Sequence, residues 1–118
     1  MKLFDSELKL MELIWAGKDC TAKSLSLQAA EKIGWNKNTT YTVLKKLVEK
    51  GAVERVEPGF HCVARISREE VAREETGSLI EKLFGGSRRA FFAAFLEQES
   101  LSETELEELR TMIERHEC

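Results

Sequence analysis

The sequence predicts a mainly α-helical protein that carries one small β-hairpin. Three observations lead there. Apolar residues recur at helical spacing up to Lys50, the pattern then switches to strand-like alternation around a Pro-Gly dipeptide, and helical spacing resumes behind a fresh N-terminal cap. A chain of 118 residues has room for one core and a modest appendage, and the change of pattern places the boundary between them so that residues 1–68 form the first unit and residues 69–118 the second.

The first helix opens at Asp5 or Ser6, either of which can cap a helix, and carries Leu8, Met11, Ile14 and Trp15 on one side before Gly17 and Lys18 close it. A second helix takes Thr21 as its cap, turns Leu25, Ala29 and Ile33 to one side and stops at Gly34. The third begins after Asn36 and runs to Lys50, with Thr40, Val43, Leu44, Leu47 and Val48 at i, i+3, i+4, i+7 and i+8 and Gly51 as terminator. Residues 52–57 and 60–66 then read as two strands around Pro58-Gly59. An isolated hairpin is marginal in water, so this one is expected to lean on the helices through Val53, Phe60 and Ile66. Three helices followed by a hairpin is the order of a winged helix-turn-helix. A fourth helix opens with a capping box, Ser67 with Glu70, and reaches Phe84. Gly85-Gly86 breaks it, Ser87 starts a fifth helix bearing Phe91, Phe92, Phe95 and Leu96, and the capping box Ser102 with Glu105 precedes Leu106, Leu109, Met112 and Ile113.

Composition narrows the function. With 42% hydrophobic and 33% charged residues the chain has enough apolar surface to fold, and no run approaches the ~18 apolar residues of a membrane span. The start turns polar before any signal core could form, so no membrane insertion and a cytoplasmic location are expected. Cys20, Cys62 and Cys118 are odd in number and lack a C-x-x-C pair, which argues against both a disulfide framework and a structural zinc site, and no cofactor is expected. The net charge of −3 is unevenly spread: 13 Lys and Arg face 12 Asp and Glu through Glu75, against 5 and 9 beyond it. Between Trp35 and Lys50 four lysines meet one carboxylate, Glu49, so an anionic partner would dock on the third helix.

The non-core face of that helix holds Lys37, Asn38, Tyr41, Thr42, Lys45 and Lys46: neutral hydrogen-bonding groups near the start, which can reach base edges, with lysines behind, which can meet phosphates. Such a face also suits plain solvation, and it is the neighbouring hairpin that favours double-stranded DNA. Arg55 and Arg65, on or beside the hairpin, are candidate phosphate contacts, and the strand register decides which of them faces DNA. The tail carries Leu79, Ile80, Leu83, Phe84, Phe91, Phe92, Phe95, Leu96, Leu106, Leu109 and Ile113, more apolar surface than a short helical appendage can bury, so a second copy is expected to cover it and form a homodimer. No catalytic constellation is legible: the chain has two histidines, no H-E-x-x-H and no G-x-S-x-G, so it does not read as an enzyme. Two alternatives stay open. One is a winged-helix module that binds proteins without DNA; the other is a metal-responsive repressor using His61, Cys62, His116 and Cys118.

Four stretches, 6–15, 35–51, 83–87 and 101–109, together resemble the penicillinase-repressor family of winged-helix regulators, in order and spacing across nearly the whole chain. The resemblance implies a homodimeric repressor of a dyad operator that reads DNA through the third helix and interlocks through its C-terminal helices. By position, Lys37, Asn38, Thr39, Tyr41, Thr42, Lys45 and Lys46 fall on the reader helix, where Thr39 and Thr42 match the family's threonine pattern best. Beta-lactam-responsive members are inactivated by a membrane-bound sensor metalloprotease that cuts an Asn-Phe bond in the dimerisation region. The corresponding pair here is Ala94-Phe95, a departure at the first position. The paired C-x-C motifs of the copper-responsive branch are replaced by the single Cys118.

Overall fold

A computed structural model describes residues 1–116 and contains six helices and one hairpin: α1 (Asp5–Trp15), α2 (Ala22–Lys32), α3 (Lys37–Lys50), β1 (Val53–Val56), β2 (His61–Ala64), α4 (Arg68–Phe84), α5 (Arg88–Gln98) and α6 (Glu103–Arg115). The chain divides into two compact units, Met1–Thr76 and the residues from Gly77 onward. The fourth helix runs across that division.

Two of the first-unit helices, α2 and α3, start where local chemistry dictates, and α3 also stops there. The Thr21 hydroxyl accepts the Ser24 N–H at 3.1 Å to start α2, and the Asn36 carboxamide accepts the Thr39 N–H at 2.8 Å to start α3. Gly51, at φ 81°, ends α3 in the left-handed conformation that a side chain would strain. The start of α1 corrects the expected cap. Neither Asp5 nor Ser6 is the capping residue: both lie inside the helix, and the cap position is Phe4, whose N–H donates to the Glu7 carboxylate at 2.8 Å. Glu7 reaches back because Lys50, at the far end of α3, holds it from the other side at 2.6 Å.

Helices α1, α2 and α3 close around one core of Leu10, Met11 and Ile14, Leu25 and Ala29, and Val43, Leu44 and Leu47. The hairpin is antiparallel, with Val53 opposite Ala64, Arg55 opposite Cys62 and Val56 opposite His61. Since side chains alternate along a strand, Val53, Arg55, Cys62 and Ala64 share the face turned to the helices, while Glu54, Val56, His61 and Val63 share the other. Val53, Cys62 and Ile66 are buried in the helical core, and Phe60 packs partly against it. The hairpin also has support that the sequence did not announce. Residues 20–22 run antiparallel to β2, with an isolated bridge between Thr21 and His61, the Cys62 N–H on the Cys20 carbonyl at 2.9 Å, and the Ala22 N–H on the Phe60 carbonyl at 2.9 Å. Beyond the hairpin the indole of Trp15 donates to the Ile66 carbonyl at 2.9 Å, and Arg68 pairs with Glu12 while lying over the Trp15 ring, so the start of α4 is fixed to α1.

In the second unit both expected caps form: Ser87 accepts the Ala90 N–H at 3.0 Å, and Ser102 and Glu105 exchange hydrogen bonds, each 3.1 Å. Gly85 and Gly86, at φ 58° and 83°, make the turn between α4 and α5. Phe84, Phe91 and Phe92 meet edge to face with centroids 5.6 Å apart. Ile80 is the one expected pairing residue that is buried within the single chain; Phe84, Phe91 and Leu109 are half-buried, and Leu79, Leu83, Phe92, Phe95, Leu96, Leu106 and Ile113 are exposed. Met112, absent from the expected set, is 66% exposed beside Ile113 at 71%. Among the described residues no helix is long and apolar enough to cross a membrane.

Candidate nucleic-acid interface

The burial of Thr40, Val43, Leu44 and Leu47 fixes the rotation of α3 about its axis. With a helical turn of 3.6 residues, Asn38, Thr42 and Lys45 then point directly away from the core, and all three are exposed. Lys37 and Lys46 flank them and are exposed too, whereas Thr39 and Tyr41 are half-buried. Thr39 therefore contributes its backbone N–H to the Asn36 cap and lies towards the edge of the outward face. Lys37 sits one turn before Tyr41, its ammonium 5.8 Å from the ring centroid.

The hairpin flanks one side of this helix. Tyr41, Lys45, Val48, Glu49, Arg55 and Phe60 line a cleft between α3 and β1, with an aromatic floor and charged rims. Phe60 and Tyr41 form a T-shaped pair with centroids 6.2 Å apart, and the Arg55 guanidinium lies 3.8 Å from the Phe60 centroid. The Arg55 Nε donates to Glu57 at 2.6 Å. That contact is the largest reason the Glu57 carboxyl is held below its ordinary pKa; the Phe60 and Gly59 backbone N–H groups add to it. The register separates the two arginines: Arg55 lies on the helix-facing side of the hairpin, whereas Arg65, exposed past the end of β2, pairs with Glu54 of the opposite face.

Within the first unit, His61 and Cys62 do not face one common site. His61 and Cys62 are consecutive in a strand and point to opposite faces, His61 exposed and Cys62 buried. His116 is the C-cap of α6, and Cys118 lies outside the described residues. Burial pushes the Cys62 thiol up to about 11, and burial with the nearby Asp19 carboxylate raises Cys20 as well. Among the described residues no three His, Cys, Asp or Glu side chains are grouped to hold a metal ion.

Sequence reasoning missed the Phe60 contacts and the Glu7–Lys50 pair. Phe60 reads as a core residue by hydrophobicity, and only the three-dimensional turn brings Arg55 onto its face. The partners Glu7 and Lys50 are 43 positions apart with no periodicity to link them.

The chain matches the penicillinase repressor family over residues 3–115. It is 25% identical over 117 residues to the penicillinase repressor of Bacillus licheniformis, an alignment covering 98% of this chain and 91% of the relative. To the methicillin resistance regulatory protein MecI of Staphylococcus aureus (strain N315) it is 23% identical over 116 residues, covering 97% and 94%. An uncharacterised 16.5 kDa protein of Latilactobacillus sakei is 27% identical over 110 residues, 92% of this chain and 75% of its own.

Proposed function

Because the chain belongs to the penicillinase repressor family, we propose that it is a repressor, as its relatives' names say, and that it acts on transcription as a homodimer bound to a dyad operator. The observation that carries the reading is the outward face of α3, where exposed Asn38 and Thr42 precede exposed Lys45 and Lys46. Asn38 and Thr42 stand where the start of a helix can enter the major groove and reach base edges, and the lysines follow where the phosphate backbone would run. Lys37 and Tyr41 border the groove on the hairpin side, Thr39 on the other, and Arg55 serves as the wing's phosphate contact. Arg65 is the weaker candidate, since it lies past the end of β2 and pairs with Glu54 on the face turned away from α3.

The exposed apolar side chains of α4, α5 and α6 supply the pairing surface. A pair of such heads would read half-sites about one helical turn apart, ~34–36 Å. Release falls to a separate signal. A sensor metalloprotease cutting between Ala94 and Phe95 would split α5 and detach Phe95, Leu96 and all of α6 from the pairing surface. The bond lies inside a helix, so α5 must unwind locally before a protease cleft can take it.

The test is a gel shift on the DNA upstream of the chain's own gene at two salt concentrations, with footprinting of the shifted band. Protection of a dyad, with log affinity falling by about 0.9 per phosphate contact for each decade of salt, is the expected result. Absence of protection at low salt, repeated in a genome-wide selection, would overturn the reading in favour of a module that binds proteins instead.

A further inference from the structure

We infer that Phe60 is a positioning residue for the wing, holding the Arg55 guanidinium in place beside α3 for a DNA phosphodiester. The inference rests on the repressor reading above and adds a residue that no direct contact with DNA would reveal.

Several constraints converge on this side chain. Phe60 has φ 51° and is the one non-glycine residue at positive φ among the described residues. A bulky residue stays in that region only when its surroundings hold it there. They do so from three sides: its carbonyl accepts the Ala22 N–H at 2.9 Å, its N–H donates to the Glu57 carboxylate at 3.3 Å, and its ring forms a T-shaped pair with Tyr41 of the reader helix. The conformation turns the ring face towards β1, where Arg55 lies on it at 3.8 Å. Glu57 bonds both Arg55 and the Phe60 backbone, so turn, ring and guanidinium form one unit.

The chemistry of that unit suits an anion with two acceptor oxygens. The Arg55 Cζ lies over the Phe60 ring and Glu57 occupies the Nε, which leaves the two terminal nitrogens to donate side by side. An arginine free in solvent loses rotamer freedom when it binds a phosphate; one already laid on a ring has lost most of it beforehand. Lys45 lines the same cleft, so both cations face a single backbone strand.

Phosphate contacts do not depend on sequence, so the probe is a mixed-sequence DNA duplex, titrated with the full-length protein across a series of salt concentrations. Arg55→Ala is expected to flatten the slope of log affinity against log salt by about 0.9, one phosphate contact. Phe60→Leu, which keeps apolar bulk and removes the ring, should flatten it by a similar amount. Phe60→Tyr should restore it, and Phe60→Leu combined with Arg55→Ala should lose no more than Arg55→Ala alone. A merely structural phenylalanine would lower the melting temperature without moving the slope. Ring-current upfield shifts of the Arg55 side-chain protons in the unbound wild type, read by NMR, test the stack even if Phe60→Leu fails to fold. An unchanged slope in Phe60→Leu, losses that add fully in the double variant, no effect of Arg55→Ala, or ordinary Arg55 shifts would each overturn the inference. Failure of the wild type to bind the duplex at low salt is a different outcome, and would overturn the repressor reading on which the inference stands.

Discussion

Glu7 is 1% exposed, yet it carries a charge. Burial by itself would push its carboxyl up, but the Lys50 ammonium at 2.6 Å, the Phe4 N–H and the field of Lys46 outweigh it and hold the group below its ordinary pKa. One carboxylate oxygen, Oε2, has no hydrogen-bond partner, so the compensation is incomplete and Lys50 is the contact the site can least lose. Lys50 also donates to the Lys2 carbonyl at 3.0 Å and lies over the Phe4 ring, which ties the N-terminal segment to the end of α3. Lys50→Met removes the charge and keeps the stem; it should destabilise the fold by about 2–4 kcal/mol at pH 7, since a buried carboxylate is left unpaired. The sign of the pH dependence follows from the depressed pKa. The stabilisation from Glu7 is fully present above its unfolded value of about 4.3 and is lost as pH falls through the lower folded value. Urea titrations of wild type and Lys50→Met should therefore differ widely at pH 7 and converge as pH falls through the lowered folded value. A gap of the same size above and below that value would show that Lys50 acts through packing and not through the carboxylate.

At the scale of elements, α3 carries the prediction with the sharpest contrast. Thr42 and Lys45 are both exposed and point the same way, but the short Thr42 side chain suits a base edge, whereas the long, flexible Lys45 ammonium suits the phosphate backbone. Thr42→Ala should cost ~1–3 kcal/mol on the operator and little on unrelated duplexes, whereas Lys45→Ala should weaken both by similar factors. Equal losses on every duplex from both variants would remove α3 from base reading. This helix was also the most legible part of the sequence: its cap at Asn36, its terminator at Gly51 and its apolar spacing are local signals, and local signals suffice to define a helix. The same holds for the caps at Thr21, Ser67, Ser87 and Ser102. The start of α1 differs from the expected cap because Glu7 answers to Lys50, a distant partner, and not to a neighbouring serine. Residues 20–22 were unreadable as a strand because three residues give no alternation to detect; their pairing is decided by β2. Likewise the hairpin was legible from Pro58-Gly59, but which arginine it turns to α3 depended on a register that only pairing fixes.

For the molecule as a whole, the question is what covers the second unit. Leu83 is 70% exposed, Phe92 54%, Leu96 50% and Ile113 71%, while large apolar side chains of the first unit such as Leu10, Leu25 and Leu44 are fully buried. Burying a large apolar side chain is worth ~1.5–3 kcal/mol. Four partly exposed ones on each of two copies therefore offer on the order of 10 kcal/mol, which is within the range that association itself costs. Pairing through this surface is thus feasible and sensitive to single changes. Phe92→Glu or Ile113→Glu would place a charge in the interface at positions that contribute little to the single chain's own core, so helix content by circular dichroism should be unchanged. Sedimentation should show a monomer, and operator affinity should fall by about 100-fold or more, because each head would bind its half-site without the effective concentration its twin provides. Binding of a single half-site should be nearly unaffected, which separates lost pairing from a damaged head. A dimer that persists in both variants would move the interface away from α5 and α6 and leave their exposed apolar faces to a different protein.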